Sequence, residues 1–156
     1  MKIKEGEKLP DSKVFILEKQ HKEISTNEIL NKGKVILFGL PGAFTPTCSN
    51  KHLPSFLQSK EQLKKKNIDK VFCISVNDPF VMEAWGKSFN LNNQLILLAD
   101  ARGDFTKSIG ADFNWRGWGM RSKRYTLFLD NGVIKKIVEE EGKCELTAAD
   151  NFLKII

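Results

Sequence analysis

The segment PGAFTPTC, residues 41–48, holds the residues of this sequence that are best suited to chemistry. It follows a continuous apolar run at 35–40 and precedes an amphipathic pattern, so we predict that it joins a buried strand to a helix. Cys48 would then lie in the first helical turn, where free backbone N–H groups and the helix dipole stabilise a thiolate. Because the thiolate is the nucleophilic form of cysteine, the segment indicates a reactive thiol.

Thr45 and two prolines support this interpretation. Thr45 lies three residues before Cys48, so we expect its hydroxyl on the same side of the turn, within reach of the sulfur and of an incoming oxygen. Pro41 and Pro46 stiffen the loop and remove N–H donors, and we expect Pro41 to shield the sulfur from water. A lone Cys48 would more readily be a small buried residue at a helix cap. The whole octet at a strand-to-helix junction favours the reactive role.

The surrounding pattern alternates between strand and helix. An Asp130-Asn131-Gly132 turn between two apolar runs predicts a hairpin. The predicted strands are 14–17, 35–40, 71–76, 95–98, 125–129 and 133–138, and the predicted helices are 25–30, 48–65, 77–89, 104–109 and 147–156. This order predicts an α/β fold with a central mixed β-sheet flanked by helices, in a single domain over residues 1–156.

Composition limits the classes of function. The chain has 156 residues, a net charge of +6 and an apolar fraction of 41%, which together are typical of a globular domain. No apolar stretch approaches a membrane span and no secretory signal is visible, so we expect no membrane partner. Three cysteines without paired spacing argue against a disulfide scaffold. We therefore expect a reducing compartment, the cytoplasm. Two isolated histidines give no metal-ligand spacing.

The octet resembles the active-site loop of the peroxiredoxins, Pro-x-x-x-Thr-x-x-Cys, which Pro41, Thr45 and Cys48 match. The branch that it resembles is the type-5 peroxiredoxins, which include the plant type-II enzymes. The resemblance extends from about residue 6 to the end of the chain, and its other segments are KHLPSF, CISVNDPFVMEAW and MRSKRYTLFLDNG.

The resemblance implies a thioredoxin-like fold and a thiol peroxidase that acts on hydrogen peroxide and small organic hydroperoxides without a cofactor. It implies that the Cys48 thiolate attacks one peroxide oxygen and becomes a sulfenic acid. It also assigns Arg124, which precedes Tyr125, as the arginine that completes the site. From the residues alone, Arg116 and Arg121 remain alternatives.

Further expectations concern the pocket and the partners. The resemblance indicates Gly42, Phe44 and His52 as pocket residues. His52 lies one turn after Cys48, on the same face, but a structural role is favoured for it. In relatives the aromatic segment near Trp118 forms an apolar lip and part of a dimer interface, so a homodimer is implied. The glycines of that segment predict irregular backbone.

The other two cysteines differ in their surroundings. Cys73 lies in an apolar strand pattern, so we predict a core residue. Cys144 lies in a loop predicted to be exposed, near the position of the resolving cysteine in some relatives, and is a candidate resolver. The default prediction is a one-cysteine enzyme that is reduced by glutathione, glutaredoxin or thioredoxin.

Two other classes of function compete with this prediction. A thiol–disulfide oxidoreductase on the same fold normally needs Cys-x-x-Cys, and Thr45 stands where the first cysteine would be. A basic nucleic-acid-binding module would fit the net charge of +6. However, the lysines are spread along the chain and no nucleic-acid motif is present, so we expect no nucleic-acid partner.

Overall fold

The computed structural model describes residues 1–18 and 20–156. Within them, seven strands form one mixed sheet in the order β2-β1-β5-β4-β3-β8-β9, and β6 and β7 form a separate pair. The strands are β1 Lys13–Leu17, β2 His21–Ser25, β3 Lys34–Gly39, β4 Lys70–Ser75, β5 Leu95–Ala99, β6 Asp112–Asn114, β7 Met120–Ser122, β8 Arg124–Asp130 and β9 Val133–Glu140. The central β3, β4 and β5 are parallel, whereas β1 and β8 run antiparallel to their central neighbours.

Helices cover both faces of this sheet. They are α1 Thr26–Leu30, α2 Leu53–Leu57, α3 Lys60–Lys65, α4 Pro79–Lys87, α5 Asp104–Ser108 and α6 Ala149–Phe152, with a π-helical turn at Cys48–His52 before α2. Two helices begin as their sequence predicts. Ser25 caps α1 by accepting from Asn27 N–H, and Asp78 caps α4 by accepting from Val81 N–H.

The core consists of two apolar clusters, one on each face of the sheet. Val35 and Leu37 of β3 belong to the cluster that packs against α1 and α5, and Ile36 and Phe38 belong to the cluster that packs against α2, α3, α4 and α6. This alternation is the period of two of a β-strand. The predicted α/β fold, a central mixed sheet flanked by helices, is confirmed.

The predicted strands and hairpin are confirmed, but the helix predicted over 48–65 is wrong as one element. Pro54 has no N–H for the carbonyl of Asn50, and its ring crowds that carbonyl. Just before Pro54, the Leu53 N–H donates to the Cys48 carbonyl five residues back, which forms a π-helical turn. The backbone leaves the helical region again at Ser59, whose hydroxyl donates to the Ser55 carbonyl.

Two smaller predictions also need correction. The terminal helix is limited to Ala149–Phe152 and does not extend over 147–156. The segment before Arg124, expected to be irregular, instead pairs β6 with β7. Its irregular part is the turn between these strands, where Gly117 and Gly119 take positive φ.

One strand pairing sets the location of the site. β3 and β8 are antiparallel, with Gly39 opposite Tyr125, so the end of β3 meets the start of β8. The loop after β3 and the first residue of β8 therefore lie at the same edge of the sheet.

Candidate active site

Cys48 lies at the end of the loop that leaves β3. Pro46 and Thr47 already have helical backbone, and the Ser49 N–H donates to the Thr45 carbonyl at 2.9 Å, so Cys48 lies in the first turn of a helical segment as predicted. Its side chain is 1% exposed. A sulfur in this position meets little solvent, so the charge of a thiolate must be balanced by nearby protein groups.

Arg124 is that group. It is the first residue of β8, is 6% exposed, and donates from Nη2 to the Cys48 sulfur at 3.3 Å. A guanidinium keeps its charge at any ordinary pH and offers several donors in a fixed fork. Arg124 therefore places a permanent positive charge and a hydrogen-bond donor beside the Cys48 sulfur.

The two alternative arginines lie in other surroundings. Arg121 donates to the Met120 carbonyl at 3.0 Å. Arg116 stacks its guanidinium over the Trp118 ring, 5.4 Å from the ring centroid. Of the three, Arg124 is the arginine hydrogen-bonded to the sulfur.

Thr45 directs its hydroxyl proton differently from the expectation. Its Oγ1 donates to the Gly42 carbonyl at 2.7 Å, which closes the loop. The lone pairs of this oxygen are left as hydrogen-bond acceptors. Phe44 lies in the same loop, between Gly42 and Thr45. It is 59% exposed and has a φ of 63°, a strained conformation for a non-glycine residue.

His52 is fully buried and lies beside Arg124. Arg124 Nη1 donates to His52 Nδ1 at 2.9 Å, so both Cys48 and His52 contact the same guanidinium. Burial, and then the charge of Arg124, lower the pKa of His52 well below its usual value. His52 is therefore neutral and supports Arg124 from inside the core, so the expectation of a position in the substrate pocket does not fit its burial.

Four residues that the sequence analysis did not assign to the site hold its loop and helix. Asn77 Oδ1 accepts from Ala43 N–H at 3.0 Å and from Ser75 Oγ at 2.6 Å. Trp85 Nε1 donates to Ser49 Oγ at 2.9 Å. The available signal was weak, because Asn77 and Trp85 are visible in the sequence only as the start and the apolar face of a helix.

Cys73 and Cys144 are both buried free thiols. Cys73 is a core residue, as predicted, and burial followed by the proximity of Cys48 raises its pKa well above the usual value. Cys144 is 2% exposed, although it lies in a loop that is exposed as predicted. The neighbouring residues 141–143 are exposed while the Cys144 side chain turns inward, and burial raises its pKa.

Neither a metal-binding cluster nor a membrane-spanning helix is found among the described residues. In residues 1–18 and 20–156, no group of three or more His, Cys, Asp or Glu side chains could hold a metal ion. Within the described part of the chain, no helix has the length and apolar character needed to cross a bilayer.

Comparison with known proteins identifies the class to which this fold and site belong. The Redoxin family model matches residues 4–153, and the chain belongs to this family of thioredoxin-like proteins. The chain is 43% identical to chloroplastic peroxiredoxin-2E of Arabidopsis thaliana, over 99% of its own length and 69% of the relative. It is also 43% identical to peroxiredoxin-2C of Oryza sativa subsp. japonica, over 97% of its length and 96% of the relative.

Solved structures of peroxiredoxins have the same fold as this chain. Reduced Prx3 of Vibrio vulnificus, in complex with hydrogen peroxide, superposes with a TM-score of 0.91 at 38% identity, covering 98% of both chains. The 1-Cys peroxiredoxin of Plasmodium falciparum gives a TM-score of 0.90 at 29% identity, covering 99% of this chain and 100% of that one. Within the Redoxin family this protein is a peroxiredoxin, a thiol-dependent peroxidase with an antioxidant function. Its substrates are peroxides, and thiols are its reductants.

Proposed function

We propose that Cys48 is the peroxidatic residue and that Arg124 and Thr45 act on the peroxide with it. The observation that carries the proposal is the 3.3 Å contact from Arg124 Nη2 to the Cys48 sulfur. It pairs a nucleophilic sulfur with a permanent positive charge in a site that excludes water. Pro41 and Gly42 shape the loop around them.

The reaction is a two-electron transfer. The Cys48 thiolate attacks one peroxide oxygen, an S–O bond forms and the O–O bond breaks. The other oxygen leaves and takes a proton, giving water or an alcohol, while the sulfur is oxidised to a sulfenic acid. Arg124 donates to the oxygens as negative charge grows on the leaving one. Thr45 accepts from the O–H of the hydroperoxide and orients it.

Stopped-flow measurement of peroxide consumption by Cys48→Ser and Cys73→Ser tests this assignment. Cys73 is a matched control because it is also buried but is a strand residue of the core. We expect Cys48→Ser to lose peroxidase activity and Cys73→Ser to keep it. Normal activity in Cys48→Ser would exclude the mechanism.

We further propose that the sulfenic acid is reduced by an external thiol, with glutathione, glutaredoxin or thioredoxin as the donor class. The burial of Cys73 and Cys144, and the raised pKa of both thiols, support this choice, because a neutral buried thiol is a poor resolving nucleophile. Mass spectrometry after an equimolar dose of peroxide should find a sulfenic acid on Cys48. A Cys48–Cys144 disulfide as the main product would make Cys144 the resolving residue instead.

A homodimer and a cytoplasmic location are also proposals. The large exposed apolar side chains Phe44, Phe80 and Trp118, 59%, 71% and 63% exposed, support self-association. Sedimentation of the wild type and of Phe80→Glu tests self-association, and a monomeric wild type would contradict it.

Free cysteines support a reducing compartment, the cytoplasm. Cell fractionation with an antibody tests this location, and recovery of the protein in a chloroplast fraction would contradict it.

A further inference from the structure

Arg124 is supported by a chain of hydrogen bonds that leads away from the sulfur. Its Nη1 donates to His52 Nδ1 at 2.9 Å, His52 Nε2 lies 3.2 Å from Thr126 Oγ1, and Thr126 Oγ1 donates to the Thr147 carbonyl at 2.8 Å. His52, Thr126 and Thr147 are each 0% exposed. Water therefore cannot replace any partner in this chain without rearrangement.

The direction of each hydrogen bond follows from the chemistry of the groups. A guanidinium has donors and no acceptor, so His52 Nδ1 must carry a lone pair. The ring proton then lies on Nε2. Thr126 has a single hydroxyl proton, and that proton is directed at the Thr147 carbonyl, so the Thr126 oxygen accepts from Nε2–H. The Thr147 backbone also hydrogen-bonds the His52 ring, so Thr126 and Thr147 together face the Nε2 side of the ring.

His52 matters to Arg124 because no ion pair among the described residues neutralises this guanidinium, although Glu140 lies opposite Arg124 in the β8–β9 pairing. Among the described residues, the ion pairs within 4.0 Å do not include Arg124. His52 is thus the acceptor on the side of Arg124 that faces away from Cys48. In the other tautomer, Nδ1–H would point at the guanidinium, and Arg124 would lose this acceptor.

The surroundings restrict the ring and anchor the end of the chain. The His52 ring packs against Phe38 and Phe56, with centroid distances of 4.6 Å and 6.0 Å, so packing fixes its position while leaving its tautomer open. Thr147 donates from Oγ1 to the Glu140 carboxylate at 2.8 Å. The Thr147 carbonyl, which accepts the hydrogen bond from Thr126, is therefore itself held in place.

We propose that Thr126 is a positioning residue for the peroxidase reaction. By accepting from Nε2–H it fixes the His52 tautomer that presents a lone pair to Arg124, and this keeps Arg124 Nη2 against the Cys48 sulfur. The inference rests on the proposed roles of Cys48 and Arg124.

The test compares Thr126→Val with Thr126→Ser. Valine has nearly the shape of threonine and lacks the hydroxyl, whereas serine keeps the hydroxyl. The readouts are the rate constant for peroxide reduction, the ultraviolet absorbance of the thiolate, and nitrogen NMR of the His52 ring. We expect Thr126→Val to react about three- to tenfold more slowly, the range for one lost hydrogen bond, with a weaker Nε2–H tautomer signal. Thr126→Ser should keep most of the rate and the wild-type tautomer.

Equal rates and the same His52 tautomer in both variants would overturn the proposal. If Thr126 had only a structural role, Thr126→Val would lower the thermal stability and leave the rate and the tautomer unchanged. If Thr126→Val does not fold, His52→Asn and His52→Leu replace it, because the asparagine amide oxygen can accept from Arg124 and leucine cannot. His52→Asn should be the faster of the two, and equal rates would overturn the proposal. Activity in Cys48→Ser would instead refute the proposed function, which separates the two failures.

Discussion

At the scale of single residues, the site depends on the contact between two buried side chains, Cys48 and Arg124. A thiolate at Cys48, 1% exposed, loses nearly all of its hydration, and an unpaired buried anion is costly. Arg124 offsets this cost because it cannot lose its proton and because one of its donors faces the sulfur at 3.3 Å. The same guanidinium contacts His52 with its other terminal nitrogen, so it bridges the sulfur and the histidine.

That geometry predicts a large effect of Arg124→Lys. A lysine ammonium has its donors on one nitrogen and lacks the fixed fork with which Arg124 reaches the sulfur and His52 from two nitrogens. We expect the rate constant for peroxide to fall by roughly a hundredfold or more, as when a preorganised transition-state donor is lost. Stopped-flow kinetics measure it, and Arg121→Lys is the matched control because Arg121 binds a backbone carbonyl. A wild-type rate in Arg124→Lys would contradict the assignment.

Glu140 gives a prediction about pH at the same scale. Burial opposes its ionisation, but hydrogen bonds from Thr147 and Glu145 outweigh burial and lower the pKa of Glu140. A carboxyl whose pKa is lower in the folded state contributes stability above its unfolded pKa, and this contribution is lost as pH falls through the folded pKa. We expect Glu140→Gln to cost about 1–2 kcal/mol near neutral pH.

Denaturant unfolding of wild type and Glu140→Gln across acidic pH measures this contribution. The difference in free energy of unfolding should shrink below the unfolded pKa of glutamate, about 4.3. A difference that stays constant into strong acid would mean that the Glu140 charge is not the cause. Glu141→Gln, in the exposed loop, is the control and should show little difference at any pH.

At the scale of secondary-structure elements, the antiparallel pairing of β3 with β8 brings the site together. Gly39 and Tyr125 are opposite each other, and a Cβ on Gly39 would lie 2.3 Å from the Tyr125 ring. The glycine lets the tyrosine ring lie directly over the backbone of β3. Arg124 precedes Tyr125, so this contact also sets how far the guanidinium lies from the loop that ends at Cys48.

Gly39→Ala is therefore expected to lower the stability of the protein and to slow its reaction with peroxide. The new methyl group forces Tyr125 to move, and overpacking of this kind typically costs about 1–3 kcal/mol. Chemical denaturation and peroxide kinetics measure the two effects. For stability, Gly42→Ala is the control, because its Cβ would meet Thr45 Cγ2 at an ordinary 3.5 Å. Equal stability of the two variants would show that Tyr125 adjusts freely.

At the scale of the whole molecule, both apolar clusters pack against one sheet. The strands that carry the site, β3 and β8, supply side chains to both clusters, so neither cluster can form fully without them. This sharing supports the proposal that residues 1–156 are a single domain.

A single domain should unfold in one cooperative step. We expect urea unfolding of the reduced protein to give the same midpoint by tryptophan fluorescence and by far-ultraviolet circular dichroism. Of the three tryptophans, Trp85 is buried in one cluster and should give the largest change in fluorescence. Measurement under reducing conditions prevents cysteine oxidation from adding transitions. Two separated midpoints would argue for units that fold independently.

Features that depend on local order along the chain could be predicted from the sequence. Continuous apolar runs predicted the strands, Asp130-Asn131-Gly132 predicted the hairpin, and the octet ending at Cys48 predicted the reactive loop. These are short-range properties, fixed by dihedral preferences, runs of apolar side chains and helix-end electrostatics. The sequence pattern missed the break in the helix after Cys48, although Pro54 and Ser59 explain it.

Which distant groups meet at the sulfur depends on the tertiary fold. Arg124 is 76 positions from Cys48 in sequence, and the residues alone did not distinguish it from Arg116 and Arg121. The same holds for the burial of Cys144 and for the link from His52 to Thr126 and Thr147. Such contacts depend on strand order and register, because pairing Gly39 with Tyr125 fixes their positions in space, and no local spacing in the chain encodes that pairing.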